Sequence, residues 1–290
     1  MQSIQTVSEN TIYVGASDRR LAKFENLFPI PRGVSYNAYV ILDEKTALLD
    51  TADASVGAQF LENVAAALDG RKLDYLIVDH MEPDHAAMIE AVLVRWPDLR
   101  LVVNAKTLPM LKMYFPTDSA AIDDALVVKE GDTLDLGKHK LTFVMAPMVH
   151  WPEVMMTFDT TTGTLFSADA FGAFGALEGA LFADEVDFAG KWLDDARRYY
   201  ANIVGKYGVQ VQAVLKKAAT LPIETIAPLH GPVWRKNLGW FIGKYDLWSR
   251  CEPRRKGGCC AVRQHVRQHR KRRQRPGRQS CRQGRKGCCA

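Results

Sequence analysis

The sequence predicts an α/β (α+β) chain folded as a four-layer αββα sandwich, with two sheets packed face to face and helices over their outer sides. Short β-rich runs and helical patterns occupy residues 1–250 of the 290. Strands come first, and strand and helix patterns then alternate. The Gly-rich phosphate turn that usually follows the first strand of a doubly wound parallel sheet is not found.

In chain order, strands are expected at residues 11–14, 38–42, 46–49, 75–78, 99–103, 140–146, 154–158 and 164–167, where aliphatic, aromatic and Thr residues dominate. Helices are expected at 55–68, 86–96, 107–114, 185–207, 209–219 and 233–245, where apolar positions recur three and four apart. No unit of 20–50 residues repeats. With 47% hydrophobic residues the chain can bury a full core.

The net charge of +5 combines two populations that meet near Cys251. Residues 251–290 hold 14 Lys+Arg and one acid, Glu252, a charge of +13; residues 1–250 hold 24 Lys+Arg against 32 Asp+Glu, a charge of −8. The tail has almost no aliphatic residues with which to build a core, so it is expected to be disordered, and the domain boundary is placed at residue 250. All six cysteines also lie beyond residue 250, so a metal in the body must be held by nitrogen and oxygen. No run reaches the roughly 18–20 apolar residues needed to cross a bilayer. The N-terminus lacks the basic start and apolar stretch of a signal peptide, and the chain is expected to be cytoplasmic, with no membrane partner.

The residues that carry chemistry cluster where strands end. After the apolar Tyr75-Leu76-Ile77-Val78 come Asp79-His80-Met81-Glu82-Pro83-Asp84-His85. In an extended segment, residues two apart share a face, so His80 and Glu82 can converge on one metal, and Pro83 keeps Glu82 extended. Asp84 and His85 can address a second metal, although Asp84 suits a helix N-cap equally well. His150, Asp169 and His230 each follow an apolar run. Four of the five body histidines thus belong to one set; the fifth, His139, lies between Lys138 and Lys140 and is read as solvated. Four imidazoles and three carboxylates suffice for two adjacent ions with one carboxylate bridging, and such a shell suits iron, manganese or zinc. Two ions roughly 3.5–4 Å apart can polarise a hydrolysable substrate or jointly reduce a small molecule.

His-x-Glu-x-Asp-His at 80–85, followed by His150, Asp169 and His230, resembles the metal-site signature of the flavodiiron proteins, also called A-type flavoproteins, whose di-metal domain is metallo-β-lactamase-like. Residues 27–37, 167–172, 197–202 and 228–232 resemble the same family. Hydrolases of that superfamily usually read His-x-His-x-Asp-His, so Glu82 favours the redox branch over the alternative, a di-metal hydrolase acting on thioesters, lactams or phosphoesters. The resemblance implies that His80, Glu82 and His150 hold one iron, that Asp84, His85 and His230 hold the other, and that Asp169 bridges them. It further implies reduction of dioxygen to water or of nitric oxide to nitrous oxide. Electrons would arrive through flavin mononucleotide (FMN) from a rubredoxin- or flavodoxin-like donor, in a head-to-tail homodimer or a tetramer. Tyr199 or Tyr200 would approach the site from its helix, a packed core tyrosine being the preferred reading.

Where the family continues with a flavodoxin-like FMN domain, this sequence reads Cys251-Glu252-Pro253-Arg254-Arg255-Lys256-Gly257-Gly258 and continues in Arg, Gln, Gly and Cys. That domain is read as absent, which would impair turnover. A reading-frame shift near codon 251 accounts for the composition, and a flavodoxin-like sequence would then be found in another frame. A nucleic-acid-binding arm is not favoured, because the tail lacks aromatics for base stacking. The Cys-Cys pairs lack zinc-site spacing.

Overall fold

A computed structural model describes residues 3–116 and 119–251. The stretch from 252 onward, with the expectations placed on it, lies outside the described residues. Two sheets dominate. The first contains β1 (Gln5–Ser8), β2 (Thr11–Tyr13), β3 (Tyr39–Ile41), β4 (Ala47–Leu49), β5 (Tyr75–Ile77), β6 (Arg100–Asn104) and β7 (Leu126–Val128), side by side in that order. It is antiparallel from β1 to β4 and parallel from β4 to β7. The second contains β8 (Thr133–Asp135), β9 (Lys140–Met145), β10 (Met155–Asp159), β11 (Thr164–Phe166) and β12 (Thr225–Ala227), all antiparallel except β11 with β12.

Strand parity produces the layers, because successive side chains point to opposite faces. Tyr39, Ile41, Leu49 and Ile77 of the first sheet meet Leu141, Phe143, Met155 and Phe166 of the second in one buried cluster between the sheets. Their neighbours Val40, Leu48 and Leu76 join the outer core with Phe60 and Val64 of helix α1 (Gly57–Leu68). Val144, Phe158 and Ile226 of the second sheet share that outer cluster with Val211 and Val214. Strands buried on both faces and helices outside constitute the αββα sandwich that the sequence predicts.

Several elements differ from expectation for identifiable reasons. The helix expected at 86–96 forms as α2 (Pro83–Ala86) and α3 (Ile89–Arg95). Pro83 starts the first piece early because its fixed φ and missing N–H suit an opening helical position. α4 (Thr107–Tyr114) lies as expected, and α5 (Ser119–Asp123) is additional. The region expected as one helix at 185–207 contains α6 (Leu193–Tyr199) between two π-helical stretches, Phe188–Trp192 and Tyr200–Val204. α7 is Gly208–Ala218, and α8 (Leu238–Ser249) starts five residues late, because Val233 and Trp234 bridge to Phe182 and Ile226. The strands outside that expectation are short: β1, β7, β8, β12, which the sequence shows only as the apolar run before His230, and two ribbons, Ala16–Asp18 with Val34–Tyr36 and Lys23–Phe24 with Phe28–Pro29.

One clamp ties β3 to the loop after β12. The backbone N–H of Asn37 donates to Leu229 O at 2.8 Å, its Nδ2 donates to Pro228 O and Gly231 O at 2.8 Å each, and Tyr39 Oη donates to Pro228 O at 2.7 Å. Gly231 sits at φ +75°, and a Cβ there would lie 2.9 Å from Ala173 Cβ. An unsatisfied buried carbonyl costs about 1–3 kcal/mol. Asn37→Ala is therefore expected to lower unfolding free energy by about 2–4 kcal/mol with an unchanged urea m-value; a loss below about 1 kcal/mol would show that the clamp bears little of the stability.

Candidate metal centre

β9 and β11 both run antiparallel to β10, and β12 runs parallel to β11, so the C-terminal ends of β9, β11 and β12 share one edge of the second sheet. His150, Asp169 and His230 leave the chain just beyond those ends. The loop after β5 is joined to that sheet by Asp79, whose backbone O accepts from Met155 N (3.0 Å) and whose Oδ1 accepts from the Thr157 hydroxyl (2.9 Å). Glu82 is extended (φ −59°, ψ 141°) and occupies the N-cap position of α2 without a side-chain capping hydrogen bond, while Asp84 lies inside the helix and makes none either among the described residues. The loop thus turns His80 and Glu82 toward the second sheet, and the first turn of α2 carries Asp84 and His85 beside them.

All seven predicted residues meet here, and all are buried. They fall into two groups, His80 with Glu82, His150 and Asp169, and Asp84 with His85 and His230; within each group the donor atoms lie within 4.8 Å of one another. Asp169 joins the groups: its Oδ2 lies 2.9 Å from His150 Nε2 and 3.5 Å from His80 Nε2, and its Oδ1 lies 3.3 Å from His85 Nε2 and 3.7 Å from His230 Nε2. Glu82 Oε2 lies 3.0 Å from His150 Nε2 and 3.3 Å from His80 Nε2.

The surroundings fix which ring nitrogens face the pocket. His80 Nδ1 donates to Glu153 Oε1 at 2.9 Å and His230 Nδ1 donates to Ser35 O at 2.7 Å, so in both rings Nε2 is directed to the centre as a lone-pair donor. His85 Nε2 faces His230 Nε2 at 3.0 Å, and both Asp84 oxygens and Asp169 Oδ1 are buried without a hydrogen-bond partner among the described residues. Facing nitrogens and orphaned carboxylate oxygens in a pocket without thiolates fit a pair of cations bound by nitrogen and oxygen.

Electrostatics point the same way. Burial pushes the imidazoles of His80, His85 and His150 down, but neighbouring carboxylates outweigh it. Asp169, Glu153 and Glu82 hold His80 well above its ordinary value, Asp84 and Asp169 raise His85, and Asp169 and Glu82 raise His150 to about 9. Burial pushes Asp169 and Glu82 up, but the imidazoles around them more than reverse it.

Sequence reasoning missed the supporting residues. Asp50 Oδ1 accepts from the backbone N–H of Asp79 (2.9 Å) and of His80 (3.1 Å), and burial raises its carboxyl to about 7. A hydrogen bond to Glu82, followed by burial, pushes Glu25 up to about 8 from the turn of the Lys23–Phe24 ribbon. His139 corrects the solvated reading: it is fully buried, its Nδ1 donating to Asp159 Oδ2 at 2.8 Å. Its parity with Leu141 and Phe143 was the overlooked signal. Tyr199 is a packed core residue with its ring 5.4 Å from that of His230, and Tyr200 packs against Tyr245 and Trp248 instead.

A four-layer sandwich with seven nitrogen and oxygen donors at the edge of its sheets defines a metallo-β-lactamase-like protein. The model of the ODP family beta lactamase matches residues 34–231. A nitric oxide reductase of Moorella thermoacetica is 37% identical over 247 residues, 84% of this chain and 60% of that protein. The flavodiiron protein from Giardia intestinalis superposes with a TM-score of 0.80 at 30% identity, over 85% of this chain and 59% of that one. Rubredoxin oxygen:oxidoreductase from the anaerobe Desulfovibrio gigas does so with a TM-score of 0.80 at 30% identity, over 86% and 62%. The chain belongs to the ODP beta-lactamase family, in its flavodiiron branch; it spans about 60% of the length of these relatives.

Metal ligation needs unprotonated imidazoles, so uptake must expel protons that the metal-free pocket holds. His150 keeps its proton up to about pH 9, and the apparent affinity for a divalent metal is therefore expected to rise as pH is raised from neutrality toward 9. Titration in weak buffer at pH 7 should release protons on metal addition; uptake without release would contradict these protonation states.

Proposed function

We propose that this chain carries a diiron centre that reduces dioxygen to water or nitric oxide to nitrous oxide. The observation that carries the reading is the division of seven donors into two groups around Asp169. His80, Glu82 and His150 would hold one iron, Asp84, His85 and His230 the other, and the two Asp169 oxygens would serve one each. When bound, a pair of irons supplies two reducing equivalents and binds the diatomic substrate. The names of the relatives support the redox branch, and Glu82 departs from the His that hydrolases place there; nothing in the comparisons favours a hydrolase.

The chain's own residues would prepare the site in three ways. Glu153 and the Ser35 carbonyl hold His80 and His230 in the tautomer that presents Nε2. Glu82 adds negative charge where an imidazole would be neutral, which favours the oxidised state of a bound metal. Phe24, Tyr36 and Tyr199, with rings 5.4–5.8 Å from that of His230, pack aromatic surface around that imidazole, which is fully buried.

By the same reading, electrons come through FMN from a rubredoxin- or flavodoxin-like donor, and the working form is a head-to-tail homodimer or tetramer in the cytoplasm. Among the described residues no helix is long and apolar enough to cross a membrane. Residues 1–250 are the diiron domain and 251–290 a basic tail. Protein purified from iron-replete cells should contain about two irons per chain and consume nitric oxide or dioxygen when given a chemical reductant with rubredoxin or flavodoxin. Asp169→Ala should lower metal affinity more than about 100-fold. Stoichiometric zinc in place of iron would contradict the redox reading.

A further inference from the structure

Glu153 is a buried acidic side chain outside the seven donors that binds one of them directly, through Oε1; its Oε2 is buried without a hydrogen-bond partner among the described residues. It is 1% exposed, and Oε1 accepts both His80 Nδ1–H (2.9 Å) and the backbone N–H of Met81 (3.0 Å). Its own position is fixed from the opposite sheet: Asn104 Nδ2, at the end of β6, donates to Glu153 O at 2.5 Å, and Asn104 Oδ1 accepts from the backbone N–H of Lys106 and Thr107. The Trp151 ring packs edge-on to His80, with centroids 5.5 Å apart.

The other half of the pocket has no such support. His230 Nδ1 donates to a neutral backbone carbonyl, and His85 Nδ1 is buried with no hydrogen-bond partner among the described residues. A carboxylate behind an imidazole fixes its orientation and raises the basicity of its far nitrogen; a neutral carbonyl does so less, and an absent partner not at all. With Asp169 shared, each half has one carboxylate of its own, Glu82 or Asp84, so the difference between the halves lies in what stands behind their imidazoles.

We propose that Glu153 is a positioning residue that makes the two halves unequal, so that the His80/Glu82/His150 half binds its metal ion first and more tightly than the Asp84/His85/His230 half. This rests on the dinuclear reading of the site and goes beyond it in assigning an order of filling and a cause.

Cobalt(II) titration of the metal-free full-length chain, with a competing chelator and visible spectra, tests the order. Two separate steps are expected. His150→Ala should remove the tight step and His85→Ala the weak one. Glu153→Gln keeps an oxygen that accepts from both His80 Nδ1 and Met81 N but loses the charge. It should weaken the tight step about 10–100-fold and leave the weak step unchanged. Equal weakening of both steps, or no change in either, would overturn the role of Glu153. Loss of the tight step in His85→Ala instead of His150→Ala would overturn the order of filling, and decides the matter even if Glu153→Gln does not fold. Binding of fewer than two cobalt ions by the wild-type chain would instead remove the dinuclear reading itself.

Discussion

Three carboxylates and four imidazoles are buried against one another at the rim of an apolar sandwich, and most of the surrounding architecture follows from that crowding. Ionised groups taken out of water without compensation cost several kcal/mol each. The pocket compensates in part with charges drawn from its own imidazoles, yet Asp84 and one oxygen of Asp169 have no hydrogen-bond partner among the described residues. A pair of cations is the occupant that satisfies every donor at once, which is why the geometry reads as a metal centre and not as a network of internal ion pairs.

Holding the donors in register requires backbone that the chain would not adopt unaided. Asp50, Met148, Ala168 and Phe171, none of them glycine, have φ between 48° and 68°, and each lies close to a segment that delivers or supports a donor. Such conformations cost of order 1–3 kcal/mol each and cluster where function demands them. Rigid neighbours over-determine them here: Thr51 binds the His85 carbonyl through both its N–H and its hydroxyl, Asn37 clamps the loop that carries His230, and Asp50 secures the turn into His80. Asp84 and His85 thus sit on α2, and the other five donors sit in loops just beyond strand ends that these bonds pin to the sandwich.

The central strands and the donor set were legible in the sequence because both leave local signals. β3 to β6 and β9 to β11 are apolar runs, as is the segment of β12 before His230, and each donor follows such a run or lies in the helix after it. The tertiary partners left no such trace. Asn37 and Asp50 are ordinary polar residues until folding brings them to loops far along the chain. Glu153, three residues after His150, was the nearest to visible. The helices were harder still: local patterning shows neither the π-helical stretches on either side of α6 nor the bridges that keep 233 and 234 out of α8. His139 was misjudged because two flanking lysines outweighed a period-two pattern that places it with Leu141 and Phe143.

The most direct test of the central claim is crystallographic: anomalous diffraction from the iron-loaded protein, recorded on both sides of the iron absorption edge. The account predicts two iron peaks, one among His80, Glu82 and His150 and one among Asp84, His85 and His230, with Asp169 between them. A single peak, or a peak whose nearest side chains exclude Asp169, would contradict it.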